Sequence, residues 1–501
     1  MSAANREQAG DVTMAFMVSG HSPETFQVAS FSGEEGLNED YFFRISLVSP
    51  EEGLRSEAFL GKEATFTLTS RREGPPVSVS YHGVVGLFRV GHQVLPRTFY
   101  EATLVPGISR LDLSSYSEIY TSEKGIPGLL EEVLKEVGLT SRDYQFRTGG
   151  PYRPRSFVCQ YRESLRSFVS RWTEREGIVT YFDHEGEKER IVFYDQPHQK
   201  PSWSRPLVYR PPGDPDVGFA DDSLHEWTQT RCPVPGKVVV QDFNYRKAAL
   251  EIREEVAVVA GGRGTVGIFG ENLRTNAEAK RQATLLSEML RCRERLLSGK
   301  ATATGIRAGT TVHVRRHFRP EMNGAFFVTR VRHEGSQTAF LLSGTTAGGG
   351  EGGQSHFQSL FEAIPADVPF RPERRTPWPR IDGVVGAVVE AEGSGKFAEL
   401  NEYGEYKLRF YFALTRKKSQ KGSGWVRLAT PLAGSDNGMH FPLRKETEVA
   451  VAFWGGDPDQ PVIVGALHNS EGRNLISNLN PEKNMIRSAG GHFLMLNDGN
   501  L

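Results

Sequence analysis

Apolar and polar residues alternate through most of this chain, the period of strands laid against a core. The clearest run is Glu448 to Trp454, with Val449, Val451 and Phe453 on one face and Ala450, Ala452 and Trp454 on the other. Pro461 to Leu467 reads as the returning strand. Between them, Gly455, Gly456, Asp457, Pro458, Asp459 and Pro461 carry the chemistry of a turn. Glycine permits costly dihedrals, aspartate accepts a nearby backbone N–H, and proline fixes φ. Similar short strands are predicted over Phe26 to Val48, broken at Gly33 to Gly36, and at Thr65 to Thr69, Val77 to Val90 and Phe99 to Val105. More follow at Ile178 to Phe182, Val238 to Val240, Ala249 to Ala260, Thr310 to Val314 and Phe326 to Val331.

Three stretches switch to helical spacing. Ile126, Leu129, Leu130, Val133, Leu134 and Val137 form one stripe, with Pro127 tolerable near its start and Gly138 at its stop. Leu165, Phe168, Val169 and Trp172 form a second, ended by Glu176 and Gly177. A third runs from about Asn276 to Leu297 on Leu285, Leu286, Met289, Leu290 and Leu297. Prolines and charges from Pro197 to Pro215 predict a loop, and Gly261 to Gly270 predicts a turn. Gly344 to Gly353 and Pro365 to Pro379 together predict a linker. Tyr81 to Val90 and Met322 to Val331 share a layout, each followed by another apolar strand, which suggests an internal repeat of two related barrels. Near Leu501 Phe493 and Met495 alternate with Leu494 and Leu496, so a strand apolar on both faces is expected there, a sticky edge by itself that makes sense if partner chains cover it.

A length of 501 residues calls for several domains. The net charge of −1 leaves the whole chain without an electrostatic footprint for nucleic acid or an acidic membrane. The three cysteines, Cys159, Cys232 and Cys292, are widely spaced and odd in number, which fits a reducing compartment. The first twenty residues contain no sustained apolar region, and no apolar run is long enough to cross a bilayer. Assembly in the cytoplasm without a signal peptide or stable membrane insertion is therefore expected, with any export by another route.

Candidate chemistry is sparse. Gly393 to Lys396 ends like a phosphate-binding loop, but Glu390 stands in place of the first glycine and Phe397 in place of the hydroxyl residue. Gly261 to Gly270 lacks the Lys–Ser/Thr pair, and no Gly-x-Ser-x-Gly elbow occurs. His313 and His317 are four apart in a strand pattern beside Arg315 and Arg316, which would repel a cation. The densest acidic cluster is Asp214, Asp216, Asp221, Asp222 and Glu226, next to Trp227 as an aromatic platform. A carbohydrate-active enzyme using Asp221, Asp222 or Glu226 is the alternative from a different class. Residues 377–470 hold as many Lys and Arg as Asp and Glu, and the basic knot of Arg416, Lys417, Lys418 and Lys421 reads as a hairpin tip, so nucleic acid is not expected as a ligand.

Several stretches resemble the VgrG family, the spike hubs of type VI secretion systems and relatives of contractile-phage tail hubs. Tyr161 to Ser164, Phe168 to Arg171 and Glu174 to Ile178 are similar to its pre-helix and helix signature, and Val328 to His333 resembles the closing strand of its second barrel. Gly456 to Gly465 is similar to the hairpin that closes its OB-like barrel. The resemblance implies a mainly β protein with inserted helices: two barrel-like hub domains, an OB-fold-like β-barrel and the start of a trimeric β-helix. The expected boundaries are a frayed end at 1–14, hub barrels at 15–115 and 216–345, and an inserted α/β region at 116–215. A linker at 346–376, the spike-base barrel at 377–470 and a neck at 471–501 complete the layout.

It further implies a non-enzymatic homotrimer without cofactor or metal that caps the tube of Hcp rings, adapts three-fold to six-fold symmetry and is expelled with the tube. The implied partners are those rings, baseplate proteins, a PAAR-like spike tip, and effectors with their adaptors. Gly456, Asp457, Pro458, Asp459 and Pro461 are expected to set the shape of the barrel hairpin. Ile486, Phe493, Leu494, Met495 and Leu496 are expected to contact the other copies. Family members continue past the position of Asn484 to Arg487 into a long β-helix, whereas this sequence stops at Leu501, so a truncated form or a separately supplied needle is expected, with any toxin on another chain. The tail hub of a contractile phage or an extracellular injection particle is the nearest alternative.

Overall fold

The computed structural model describes residues 12–70, 76–94, 96–196, 204–211, 223–337, 356–391, 395–414 and 423–499. They fall into two compact units. The first comprises Met1–Ser114, Ile126–Tyr152 and Ser164–Pro377, and the second Ser115–Gly125, Arg153–Glu163 and Trp378–Leu501.

Six strands open the first unit: β1 (Val12–Val18), β2 (Gln27–Gly36), β3 (Phe42–Ser49), β4 (Glu63–Ser70), β5 (Val77–Val94) and β6 (Arg97–Val105). They pair antiparallel in the order β1-β4-β5-β6-β3-β2 as a half-barrel. Alternate residues such as Phe43, Ile45 and Leu47 on β3 and Phe66 and Leu68 on β4 are buried in its core, as the period of two requires. The gap between β1 and β2 carries no ladder. The Gln337 side chain bridges it, accepting from Met14 N at 3.1 Å and donating to Val28 O at 2.6 Å.

Next along the chain come β7 (Ser115–Ser122), α1 (Gly125–Glu136), β8 (Tyr144–Arg147), β9 (Arg155–Ser164), α2 (Leu165–Glu176), β10 (Val179–Asp183) and β11 (Arg190–Tyr194), of which β7 and β9 belong to the second unit. Helix α2 has the ends its sequence dictates: the Ser164 hydroxyl accepts from Ser167 N at 3.1 Å, and Gly177 leaves the helix in the left-handed region at φ 67°. Its predicted stripe, Leu165, Phe168, Val169 and Trp172, is buried.

The remaining elements of the first unit are β12 (Ser204–Tyr209), β13 (Ser223–Arg231), β14 (Lys237–Asp242), β15 (Ile252–Ala257), β16 (Thr265–Phe269), α3 (Asn276–Arg291), β17 (Arg295–Ala301), β18 (Thr311–Arg315), β19 (Gly324–Ser336) and β20 (His356–Pro365). Strands β19, β18, β12, β13, β17 and β20 run in that order, and β20 pairs back onto β19, so this six-stranded barrel is closed. β14, β15 and β16 form a separate small sheet covered by α3.

Four expectations are corrected here. The loop at 197–215 contains β12, whose Leu207 is buried in the closed barrel. The glycine-rich turn at 261–270 contains β16, which runs parallel to β14. Helix α3 stops at Arg291, because Leu297, Gly299 and Ala301 are needed at a period of two on the inner face of β17. Leu297 fits both periods, seven residues after Leu290 in a helix or two before Gly299 in a strand. The expected linker at 346–376 contains β20, and its later part is strapped down. Arg371 is buried, donating to Glu288 Oε2 at 2.7 Å and to the carbonyls of Gly177 and Asp195 at 2.9 and 2.7 Å.

In the second unit β21 (Val385–Glu390), β22 (Lys407–Phe410), β23 (Arg427–Leu428), β24 (Glu448–Phe453) and β25 (Pro461–Leu467) are ordered β22-β21-β24-β25-β23. Tyr406 and Val426 exchange backbone hydrogen bonds of 2.9 and 2.8 Å beside β22 and β23, which closes the circle. The result is an OB-like barrel. β7 and β9 pair with each other, and Ile119, Phe157 and Cys159 on them share the barrel's core with Tyr406, Phe410, Val449 and Ile463. The barrel therefore draws on residues that precede 377, and the region expected as one insertion at 116–215 is divided between the units. β26 (Lys483–Arg487) and β27 (Phe493–Asn497) form a separate hairpin.

One buried acid gives the first unit a pH dependence. The Glu189 carboxyl accepts from the Tyr41 hydroxyl and the Gly107 N–H. Burial pushes it up to about 7, against the opposing pull of those two donors. An acid raised in the folded state stabilises most below the ordinary carboxylate range, and that contribution is lost as pH rises through about 7. Between about pH 5 and pH 8 the thermal midpoint of the wild-type protein should fall relative to that of Glu189→Gln, the gap corresponding to roughly 1–3 kcal/mol. Parallel midpoints for the two proteins across that range would refute the assignment.

Candidate functional site

The hairpin between β24 and β25 is built from short-range chemistry. Phe453 ends β24, and Trp454–Gly456 makes a single tight turn in which Gly455 and Gly456 hold φ of 61° and 78°. A side chain at Gly456 would meet only the movable ends of Arg380 and Asp382, so it is the positive φ that reserves the position for glycine. Asp457 organises the turn. Its Oδ1 accepts from Trp378 Nε1 and from Asp459 N, both at 3.1 Å, and its Oδ2 accepts from Gln460 Nε2 at 2.8 Å. Pro458 is the second residue of a turn closed by Gln460 N to Asp457 O at 3.0 Å, a position that proline's fixed φ suits, and Pro461 begins β25 opposite Phe453.

Asp459 does something that local sequence could not announce. It is buried, and its Oδ1 accepts a 2.6 Å hydrogen bond from the backbone N–H of Cys159 on β9. This ties the barrel hairpin to a strand three hundred residues earlier. The approach is tightened at Gly424, where any Cβ would run into the Ser156 carbonyl oxygen. Neither Gly424 nor Cys159 stands out in the sequence, because what marks them is a neighbour distant in the chain.

The tail hairpin is the opposite case. β26 and β27 are in antiparallel register, Ile486 opposite Leu494 and Met485 opposite Met495, and Ser488 N to His492 O at 2.7 Å closes the turn. Ile486, Phe493, Leu494, Met495 and Leu496 are 49%, 63%, 61%, 41% and 60% exposed. Apolar side chains thus stand on both faces of a two-stranded ribbon that has no core, an arrangement of marginal stability in water.

The other candidates separate. Trp227, expected as a platform beside the acidic cluster, is instead buried in the closed barrel with its Nε1 donating to Met322 O at 3.0 Å. Glu226 is exposed on β13 and lies 3.9 Å from Lys300, while Asp214, Asp216, Asp221 and Asp222 lie outside the described residues. His313 is on β18. His317 is buried, its Nδ1 accepting from Arg319 N at 3.1 Å. Gly393, Ser394, Arg416, Lys417, Lys418 and Lys421 also lie outside the described residues. Among the described residues no three His, Cys, Asp or Glu side chains are grouped to hold a metal ion.

The anchoring role of Asp459 can be separated from the turn-shaping role of Pro458. Asp459→Ala leaves the Cys159 N–H buried without its acceptor and should cost about 1–3 kcal/mol in urea denaturation. Pro458→Ala only relaxes φ and should cost less than about 1 kcal/mol. Equal losses would show that Asp459 is no anchor.

Comparison with known proteins agrees with this architecture. The family described as phage tail baseplate hub (GPD) matches residues 34–339, and the type VI secretion system/phage-baseplate injector OB domain matches residues 403–468. The type VI secretion system spike protein VgrG1c of Pseudomonas aeruginosa is 28% identical over 90% of this chain, and the actin cross-linking toxin VgrG1 of Vibrio cholerae is 28% identical over 90%. The chain spans 60% and 41% of the lengths of these two relatives. Among solved structures, an Escherichia coli type VI secretion component described as similar to the T4 bacteriophage tail proteins gp27 and gp5 superposes with a TM-score of 0.65 at 21% identity, covering 90% of this chain and 99% of that one. The Francisella PdpA-VgrG complex gives 0.62 at 8% identity, covering 98% of this chain and 76% of that one. With the hub family matched across most of the first unit and the injector OB domain across most of the barrel in the second, the chain belongs to the phage tail baseplate hub family.

Proposed function

We propose that three copies of this chain form the hub and spike base of a type VI secretion system. The observation that carries the reading is the tail hairpin, whose apolar side chains on both faces find no cover among the described residues. Symmetry makes identical hairpins from other copies the simplest cover, and a closed ring of three leaves no free edge. The names of the relatives, spike proteins of such systems, support the same reading.

The rest of the role is geometric. Each chain contributes a six-stranded half-barrel and a six-stranded closed barrel, so three copies would offer six barrel-like walls to a six-fold tube of Hcp rings. In this reading the OB-like barrel carries the spike, a PAAR-like tip and effectors with their adaptors ride on it, and baseplate proteins hold the hub. The assembly is made in the cytoplasm and leaves with the tube. The chain acts as a mechanical part and not as an enzyme.

Light scattering over a range of concentrations tests the first step. The expected species has three times the chain mass, and Leu494→Asp with Leu496→Asp should reduce it to the chain mass with the far-UV circular dichroism unchanged, since both side chains are exposed in the single chain. A monomeric wild-type protein, or a trimer indifferent to both substitutions, would overturn the proposal.

A further inference from the structure

The chain contains two Asn-Gly pairs, Asn323–Gly324 and Asn437–Gly438, and the fold puts them in opposite chemical situations. An asparagine followed by glycine can cyclise, because no Cβ on the next residue hinders approach of its backbone nitrogen to the side-chain amide carbon. The reaction needs an amide free to rotate over that nitrogen and an N–H not committed to a hydrogen bond.

Asn323 meets neither condition. Its Oδ1 accepts from His317 N at 2.9 Å, and its Nδ2 donates to His317 O at 2.9 Å and Arg319 O at 3.1 Å. Gly324 enters β19 opposite Val314. Asn437 meets both. It lies at the tip of a hairpin arm in the second unit, closed by Gly434 N to Asn437 O at 2.8 Å and Met439 N to Leu432 O at 2.9 Å. Every residue from Pro431 to Pro442 is exposed. Among the described residues neither the Asn437 side chain nor the Gly438 N–H makes a hydrogen bond. The amide oxygen lies over Gly434, where a Cβ would collide with it, so only the absence of a side chain gives it room.

Of the two Asp-Gly pairs, Asp382–Gly383 and Asp498–Gly499, the aspartate of the first is paired with Arg380 at 3.1 Å and the second is held by hydrogen bonds. The Asp498 carboxylate accepts from Asn484 Nδ2 at 2.8 Å, and Gly499 N donates to Asn497 Oδ1 at 3.1 Å.

We propose that Asn437 is a site of spontaneous covalent modification, deamidating through attack of the Gly438 backbone nitrogen on its own side chain. The N–Cγ bond forms as the Gly438 nitrogen gives up its hydrogen, the Cγ–Nδ2 bond breaks, and ammonia departs with that hydrogen. Water then opens the five-membered imide at either carbonyl, giving aspartate or isoaspartate. Both products place a negative charge at the tip of the arm. Isoaspartate also routes the backbone through the former side chain, which adds a backbone atom to the arm between Asn437 and the 2.9 Å bond from Met439 N to Leu432 O. The arm carries exposed Leu432, Met439 and Phe441, so the charge arrives beside an apolar surface.

The test is to age the full-length protein in mildly alkaline buffer and map its peptides by mass spectrometry, with isoaspartyl methyltransferase labelling. The expected result is conversion of Asn437 with isoaspartate label while Asn323 stays intact, and loss of the signal at residue 437 in Gly438→Ala. A synthetic peptide of residues 432–441, aged in parallel, controls for intrinsic reactivity. If Asn437 survives in the protein while the peptide converts, or if Asn437 and Asn323 convert alike, the proposal is wrong.

Discussion

The first unit depends on a hand-over along one strand. β19 pairs with β20 along one edge, while its other edge serves two partners in turn: Gly324 to Phe327 pair with β18, and Arg330 to Ser336 pair with β2. At the change-over the ladder to β20 slips between Val328 and Arg330, and the Thr329 carbonyl accepts from Leu37 N at 2.9 Å. A bulge bends a strand and increases its twist, which is what a strand needs to leave one barrel wall and enter another. Without the pairing of Arg330 to Ser336 with β2, that half of β19 and the β2 end of the half-barrel would each be an exposed edge. With it they share one continuous array.

Polar side chains finish what the ladders leave open. Gln337, immediately after β19, places its amide where a backbone partner for Met14 and Val28 would stand, sealing the gap between β1 and β2. Arg371 and Thr376 hold the segment after β20 onto the unit through Glu288 and Glu174. In the second unit Asp457 and Asp459 divide the work: one satisfies the turn from within, the other reaches a backbone N–H on β9. Gln337, Arg371, Glu174 and Asp459 each also meet a backbone group, at Met14 N, Gly177 O, Thr376 N and Cys159 N, and leaving such a group buried and unpaired loses more than an average hydrogen bond gains.

A contrast runs along the second unit. The barrel core is closed around Tyr406, Leu408, Phe410, Val449, Val451 and Ile463, all nearly inaccessible, while the hairpin after it buries none of its large apolar residues. The described residues therefore pack a core for the barrel and none for the hairpin.

Local physics was legible in the sequence. The period of two at Glu448 to Phe453, the ends of α2 at Ser164 and Gly177, and the turn at Asp457 all arise from interactions within a few residues, and residue types report such interactions directly. Elements whose identity rests on distant partners were not. β12 hides among prolines and charges, β20 follows a glycine-rich stretch, and Leu297 suits helix and strand equally. The sequence by itself determined a strand-rich chain with three helices, a shaped hairpin and an uncovered tail. Only the tertiary structure decided which strands pair, that β7 and β9 belong with the OB-like barrel, and that Asp459 is an anchor. The reason is that strand ladders are made by backbone groups common to every residue but proline, so side-chain pattern can mark a strand without naming its neighbour.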